Sequence, residues 1–528
     1  MASLRNDRWN LVWVSLFSLI VAVGVFVRYW QIDRRPMHHD EACQAVRFGQ
    51  LLESGKYTYD PNDHHGPSLY YAAIPIARLA GCNSLKSLTE RVVRFLPAFA
   101  GALSVLLIAS LVGGLGRPAT LAAAGFAAVS TSLVYYSNYF IQESMLVLFT
   151  AIAIITAWRY MQSGLLRWAL VAGLFAGLMH ATKETCIFAY VCGACALIDA
   201  AYTGRLTGIH DAVPKGRILR GLVVMALSAS VISVVLFSSV FSNWGGVWDS
   251  IRTYWLYIER SSGANVHDKP FYYYFQLLAL GKGDSGTWWS EAGMLLLAGI
   301  GICSVIKGSL SGGKSTRLEI FIVSFSVLIL LAYSVVSYKT PWCVMSISFS
   351  FCLVAGIGFG RIRNMLTDKV QRILFYCATC IIFLQTGTQS LLATSIYCAD
   401  TRSPYVYSQT VPDFLKLVKR INTIAALSSR GDNSLMFVVA LEQDTWPLPW
   451  YTRQYSKAGY WTDPAQVPLG VKPDMWVVSP EFDGKLAGRI GDDYQQEFYG
   501  LRPDVFLSLY IRKDLWNEFM KTVAGDKK

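Results

Sequence analysis

The sequence predicts a polytopic α-helical membrane protein of about eleven transmembrane helices, with interfacial helices in its first long loop and a small C-terminal α/β domain. Three observations predict it. Of the 528 residues, 53% are hydrophobic and 16% charged, whereas a soluble globular chain carries roughly 25% charged residues. The apolar residues gather in runs long enough to cross the hydrocarbon, which takes about 20 helical residues. The excess of positive charge, +12 overall, falls in one alternating set of short loops, as the cytoplasmic loops of membrane proteins require. With the positive charge so accounted for, nucleic-acid binding is not called for.

The first apolar run, 11–27, follows Arg5 and Arg8 and lacks a small-residue cleavage site, so it reads as a retained helix, span 10–29. A long loop, 30–91, comes next. Within it 41–52 can form a short helix and 67–79 a second, too short to cross and therefore interfacial. Further spans are expected at 92–114, 118–136, 143–160, 167–183, 185–201, 219–241, 290–307, 318–337, 342–360 and 373–394. The run 167–201 is too long for one crossing, so a hairpin turning at Lys183–Glu184 is expected. Loop 242–289 is rich in aromatics (Trp244, Trp248, Tyr254, Trp255, then 271–275), as headgroup-level segments are.

Residues 1–394 thus form a transmembrane domain and 395–528 a water-exposed one, with an amphipathic helix at 411–427 and strands at 435–440, 475–478 and 505–511. The eleven cysteines lie mostly in apolar runs; the CxxC spacings Cys192–Cys195 and Cys377–Cys380 fall mid-span and read as packing positions. No internal repeat supports an inverted-repeat transporter. The basic loops, with Arg117, Arg159, Arg167, Lys215, Lys314 and Arg361 among their residues, set the N-terminus in the cytoplasm and the C-terminal domain outside a plasma or inner membrane. Loops 30–91 and 242–289 then share the outer face, where the chemistry is expected.

The loop after the first span holds Pro36-Met37-His38-His39-Asp40-Glu41-Ala42. Ionisable groups clustered at a membrane boundary are costly and mark function. Asp40 or Glu41 can serve as a general base; the alternative is a solvated helix start with Asp40 as N-cap. His38 and His39, with Asp63, His64 and His65 further on, can hold a divalent metal or make polar contacts to a substrate. Glu143, at the lip of the fourth span, is either an interfacial carboxylate or a second acid facing Asp40 across a cavity. Lys183 at the hairpin tip and Lys339 in Tyr338-Lys339-Thr340-Pro341-Trp342 suit a phosphate anion; pairing of Lys183 with Glu184, or snorkelling, is the alternative. Arg252, Arg260, His267 and Lys269 add positive charge on that side. Trp446-Pro447-Leu448-Pro449-Trp450-Tyr451-Thr452-Arg453 can stack on sugars or fill the core of the C-terminal domain.

Together, the Asp-Glu pair after the first helix, Arg91-Val92-Val93-Arg94 opening the second, the acid near the fourth span and the Thr-Lys of the hairpin resemble the C-type glycosyltransferase superfamily. Within it the closest resemblance is to the protein O-mannosyltransferase and aminoarabinose-transferase branch and its flippase-activity-associated subgroup, on the tracts HHDEA, DHHGP, YFIQES, HDKPFYYY, YKTPW and WPLPWY. The resemblance implies transfer of a hexosyl or pentosyl group, with inversion, from a polyprenyl-phosphate-linked sugar to a protein, lipid or glycan acceptor at the outer face. It implies Asp40 as catalytic base, Glu41 beside it, and Glu143 in the place of a second carboxylate that is often Asp in relatives. Lys183, Lys339 and Arg94 would hold the lipid phosphate, and His39, His65 and His267 would contact substrate. No cofactor is required, though a divalent metal on His38 and His64 is a further option. The rival readings are a non-catalytic transporter or flippase component for lipid-linked sugars, and a metal-dependent envelope enzyme.

Overall fold

The computed structural model describes residues 2–62, 65–206, 214–261, 267–283, 286–311 and 315–525. Asp63, His64 and Lys314 lie outside them. The chain divides into two compact units. The first comprises Met1–Ile32, Lys56–Ile76 and Arg94–Tyr405; the second comprises Asp33–Gly55, Ala77–Val93 and Val406–Lys528.

The first unit is helical. Among the described residues nine helices are long and apolar enough to cross a membrane, and Arg117–Val129 with Thr131–Ser137, bent by 51°, is long and apolar enough only as a pair. At the fifth expected span, 167–183, the structure has Leu166–His180, an apolar helix of 15 residues, shorter than a full crossing. The bend falls where the Ser130 hydroxyl caps a new helix by accepting from the Leu133 N–H at 3.5 Å. The expected hairpin is present: Leu166–His180 and Cys186–Leu206 flank the turn that carries Lys183.

In lipid there is little hydrophobic drive between helices, so close backbone approach supplies the packing. Gly301 and Gly358 provide one such approach. A Cβ at Gly358 would sit 1.9 Å from the Leu297 carbonyl oxygen, and one at Gly301 would sit 2.5 Å from that of Val354. The outward faces stay apolar, with Leu222, Leu227, Ile381 and Leu384 all exposed.

A two-residue ladder pairs Gly281–Lys282 (β1) with Trp288–Trp289 (β2). The second unit is built on a sheet of Met436–Val439 (β3), Ala458–Trp461 (β4), Met475–Val478 (β5), Tyr494–Arg502 (β6) and Val505–Arg512 (β7), in the order β4-β3-β5-β7-β6. β3 lies parallel to β4 and β5; β7 runs antiparallel to β5 and β6. Alternation sends Met436, Val438, Met475 and Val477 to one face, against Phe414, Leu417 and Ile421 of the helix Asp413–Leu427. Phe437, Val439, Trp476 and Val478 point to the other face, against Leu486 and Ile490. Trp450 is fully buried and its Nε1 donates to Glu90 at 2.8 Å, so the WPLPWY tract fills the interior of this unit instead of offering its second tryptophan to a ligand.

Candidate active site

In the second unit the chemistry-bearing segment is the start of the helix His39–Ser54. His38, extended at φ −72° and ψ 159°, is the N-cap. Its Nδ1 accepts from the Asp40 N–H at 3.1 Å, and its own N–H donates to Glu41 Oε2 at 3.2 Å. This reciprocal box satisfies two of the helix's orphan donors. The cap is therefore His38 and not Asp40, as the alternative reading had it. The Nε2 of His38 meets the Tyr407 carbonyl at 3.1 Å. Burial pushes its pKa below the ordinary 6.5, which fits a neutral ring accepting at Nδ1 and donating at Nε2. Neither nitrogen then offers a lone pair to a metal. Among the described residues no three His, Cys, Asp or Glu side chains gather in a way that could hold one.

Glu41 is buried and pairs with buried Arg35 at 3.1 Å. Arg35 is in turn held by Gln409 Oε1 at 3.3 Å. Asp40, one residue earlier, is half-buried, and its carboxylate has no hydrogen-bond or ion-pair partner among the described residues. Two adjacent carboxylates thus receive different surroundings: Glu41 is locked, Asp40 is available. His39 faces Trp446, ring centroids 6.3 Å apart.

In the first unit the His65-Gly66-Pro67-Ser68 segment is seated on the hairpin turn. Ser68 N–H donates to the Ala181 carbonyl at 2.9 Å, and its hydroxyl meets that of Thr182 at 2.7 Å. Only glycine fits at 66, where a Cβ would lie 2.2 Å from the Ala181 oxygen. His65 Nδ1 lies 2.8 Å from Glu184 Oε2. Burial alone would raise the Glu184 pKa, but the charge and hydrogen bond of His65 hold it below the ordinary value. Lys183, the residue between, forms an ion pair with Glu143, both side chains being buried. The turn's two charged residues thus each meet a distant partner. The second oxygen of Glu143, Oε2, is buried without a hydrogen-bond partner.

A narrow cavity lies among the helices Glu143–Ser163, Cys186–Leu206, Arg317–Val335 and Val344–Met365. Its walls are mostly apolar, Leu146, Ile154, Phe321 and Phe325 among them; Thr150, Ser326 and Ser350 also line it but donate to carbonyls of their own helices, and Thr185, Tyr333 and Ser346 complete the lining. Thr185 follows Lys183 by two residues, and Tyr333 lies within electrostatic reach of that lysine. At Thr185 and Tyr333 the apolar space therefore comes close to the Lys183–Glu143 pair.

The remaining sequence candidates are placed as follows. The backbones of Lys339 and Lys269 donate to the His267 and Ser337 carbonyls, each at 3.0 Å, which sets the HDKPFYYY and YKTPW tracts side by side. Lys339 is buried, and its Nζ donates to the Lys269 carbonyl at 3.2 Å and to that of Val336. Burial lowers its pKa. The His267 ring packs on Tyr338. Arg94 is fully buried and donates to the Ile32 carbonyl at 2.8 Å. Sequence reasoning missed Arg35, whose two-arginine context reads as a membrane anchor. It also missed Glu291, a buried acid accepting from the Ser132 N–H at 3.0 Å and the Tyr405 hydroxyl at 3.3 Å. The available signal for Glu291 was a lone acid at the edge of an apolar span.

The family model for dolichyl-phosphate-mannose-protein mannosyltransferase matches residues 74–239. No curated protein sequence matches the chain. ArnT from Cupriavidus metallidurans in the apo state is similar with a TM-score of 0.63 at 14% identity, over 96% of this chain and 99% of ArnT. The structure of ArnT bound to undecaprenyl phosphate gives 0.63 at 14%, over 94% and 98%. The apo Archaeoglobus fulgidus oligosaccharyltransferase gives 0.57 at 10%, over 93% of this chain and 74% of its own. At such identities the likeness is one of fold. Spans, sheet-bearing unit, family match and solved neighbours agree: the chain has the fold of the C-type glycosyltransferase superfamily that its sequence resembles.

Proposed function

We propose that this protein transfers a sugar from a polyprenyl-phosphate donor to an acceptor at the extracytoplasmic face of the membrane. The observation that carries the reading is the mostly apolar cavity that comes close, at Thr185 and Tyr333, to the Lys183–Glu143 pair. A prenyl phosphate has the same division, a long hydrocarbon ending in an anion. An ammonium offers three donors, so Lys183 can serve a phosphate while it keeps Glu143. Two solved proteins of this fold are described in complexes with such lipids, ArnT with undecaprenyl phosphate and the Archaeoglobus fulgidus enzyme with a dolichol-phosphate.

In the reaction an acceptor oxygen attacks the sugar's anomeric carbon from the face opposite the phosphate. A new C–O bond forms, the bond to the phosphate oxygen breaks, and polyprenyl phosphate leaves with the electron pair. Asp40 takes the acceptor's proton, consistent with its unpartnered carboxylate, while Glu41 fixes the helix start that carries it. Lys183, aided by Lys339 and Arg94, offsets the charge that grows on the leaving phosphate. His39, His65 and His267 contact the substrates. The basic short loops supply the orientation, N-terminus in the cytoplasm and the sheet-bearing unit outside.

The test incubates the purified full chain in liposomes with a panel of polyprenyl-phosphate sugars and candidate acceptors, and reads products by mass spectrometry. A glycosylated product appearing together with free polyprenyl phosphate is expected. Movement of labelled lipid across the bilayer with no product would replace the transferase by a flippase component.

A further inference from the structure

A cleft opens among the helices Leu166–His180, Cys186–Leu206, Lys215–Phe237 and Gly245–Ser261. It shares no lining residue with the first cavity. Its chemistry is also different. His180, Tyr190, Ser230, Ser233 and Ser250 line it, and no Lys, Arg, Asp or Glu does. His180 Nδ1 lies 3.1 Å from the Ser233 hydroxyl, and its ring stacks on Tyr254 at 6.0 Å and packs on Phe237 at 5.0 Å.

The cleft's position gives these groups meaning. Ser230 and Ser233 stand in the last two turns of a membrane-spanning helix whose neighbouring Leu227 and Val231 are exposed to lipid. Polar groups at that depth are costly unless something bonds to them. Ser230 is exposed and has no hydrogen-bond partner among the described residues. The adjoining helix Gly245–Ser261 turns Trp248, Ile251 and Trp255 outward, each more than half exposed, while Ser250 and Thr253 face inward. Tryptophans so arranged seat a helix at headgroup level. The cleft therefore opens where the head of an amphiphile lies. The Tyr190, Ser233 and Ser250 hydroxyls donate to backbone carbonyls and keep lone pairs that can accept. With Ser230, the imidazole and an aromatic wall they suit hydroxyl groups, and the lack of a cation gives a phosphate nothing to pair with.

We infer that this cleft binds the uncharged, hydroxyl-rich head of a membrane amphiphile, such as a glycolipid, separately from the phosphate-bearing lipid of the first cavity. That this amphiphile is the acceptor rests on the proposed transferase reading; its binding does not.

The test uses the full chain in phosphatidylcholine nanodiscs with dodecyl maltoside carrying a photoreactive group in its alkyl tail, and maps labelled peptides by mass spectrometry. Saturable labelling of 176–190 and 229–251 is expected, competed by dodecyl maltoside but not by free maltose or dodecyl phosphate. Ser233→Phe, which fills the cleft, is expected to cut labelling about ten-fold. Ser230→Ala, a change too small to disturb folding, is expected to cut it about three-fold with an unchanged unfolding midpoint. Labelling spread over all spans and insensitive to Ser230→Ala would overturn the proposal. Equal competition by dodecyl phosphate would overturn its charge selectivity, and equal competition by free maltose would overturn the amphiphile. A failed transfer assay with labelling intact would sink the transferase and leave this cleft standing.

Discussion

Glu41 and Glu143 are both buried, both paired with a cation and both in the first turn of a helix, yet the two regions finish their bonding differently. At Glu41 the Arg35 guanidinium and the His38 N–H converge on one carboxylate oxygen, and Gln409 holds the arginine from behind. At Glu143 one oxygen takes Lys183 and the other is buried with no partner. An ion pair braced from several sides in a low-dielectric interior fixes geometry, whereas one with an orphaned oxygen retains an acceptor whose cost only a ligand or proton can offset. The first region reads as scaffold and the second as machinery, and the neighbour of Glu41, Asp40, is the group the scaffold presents.

The largest expected effect tests that division within two residues of one helix. Asp40→Asn is expected to lower transfer by about 10²–10⁴-fold, the worth of a positioned base, with no change in unfolding midpoint or donor binding. Glu41→Gln leaves Arg35 buried without its counter-charge and is expected to cost about 3 kcal/mol of stability, while transfer per folded molecule falls far less than in Asp40→Asn. Activity and thermal unfolding measured on both variants check this. Equal losses of activity at equal stability would erase the distinction between scaffold and base.

Much of the frame was legible because lipid imposes it. Apolar runs of spanning length located the helices, and the run 167–201 had to fold back at Lys183–Glu184. β3 and β5 are buried on both faces and read as unbroken apolar runs, so they stood out. β4 is half-buried throughout, and β6 is an edge strand with Gln495, Gln496 and Glu497, so neither alternates clearly enough to read. The bend at Ser130 was hidden because serine and threonine in an apolar run do not announce a break. Pairings across long sequence separations were the least legible. Lys183 and Glu184 look like each other's partners in sequence, but 40 and 119 residues separate them from the groups they meet, Glu143 and His65. Asp40 outranks histidine as a cap by propensity, yet burial kept His38 neutral and able to accept at Nδ1.

Lys183→Met carries the next largest effect and sharpens the comparison at Glu143. Removing the cation leaves a buried carboxylate uncompensated, an expected cost of about 3–5 kcal/mol. Adding Glu143→Gln removes the stranded charge, so the double variant is expected to recover most of that stability. If Lys183 serves the phosphate, polyprenyl-phosphate affinity stays at least about ten-fold below native in the double variant, since a cation–phosphate contact is worth that much. Unfolding midpoints and lipid binding measured together decide the matter. A stable double variant that binds the lipid normally would make this pair scaffold too.

The smallest effect concerns the seat of the turn. Glu184 has its pKa held below the ordinary 4.5 by His65 even though burial acts in the opposite sense. A depressed carboxyl contributes stability that is fully present above the unfolded value and is lost as pH falls through the folded one. The native protein should therefore lose this contribution only below about pH 4.5. His65→Gln removes the partner that holds Glu184 and is expected to cost about 1 kcal/mol while Glu184 is ionised, a cost that shrinks toward zero as acid protonates Glu184 in both proteins. Unfolding midpoints taken across that range check the sign. A deficit that stays constant down to the lowest pH would mean that His65 holds the turn by shape and not by charge, and that only one of the turn's two acidic contacts is electrostatic.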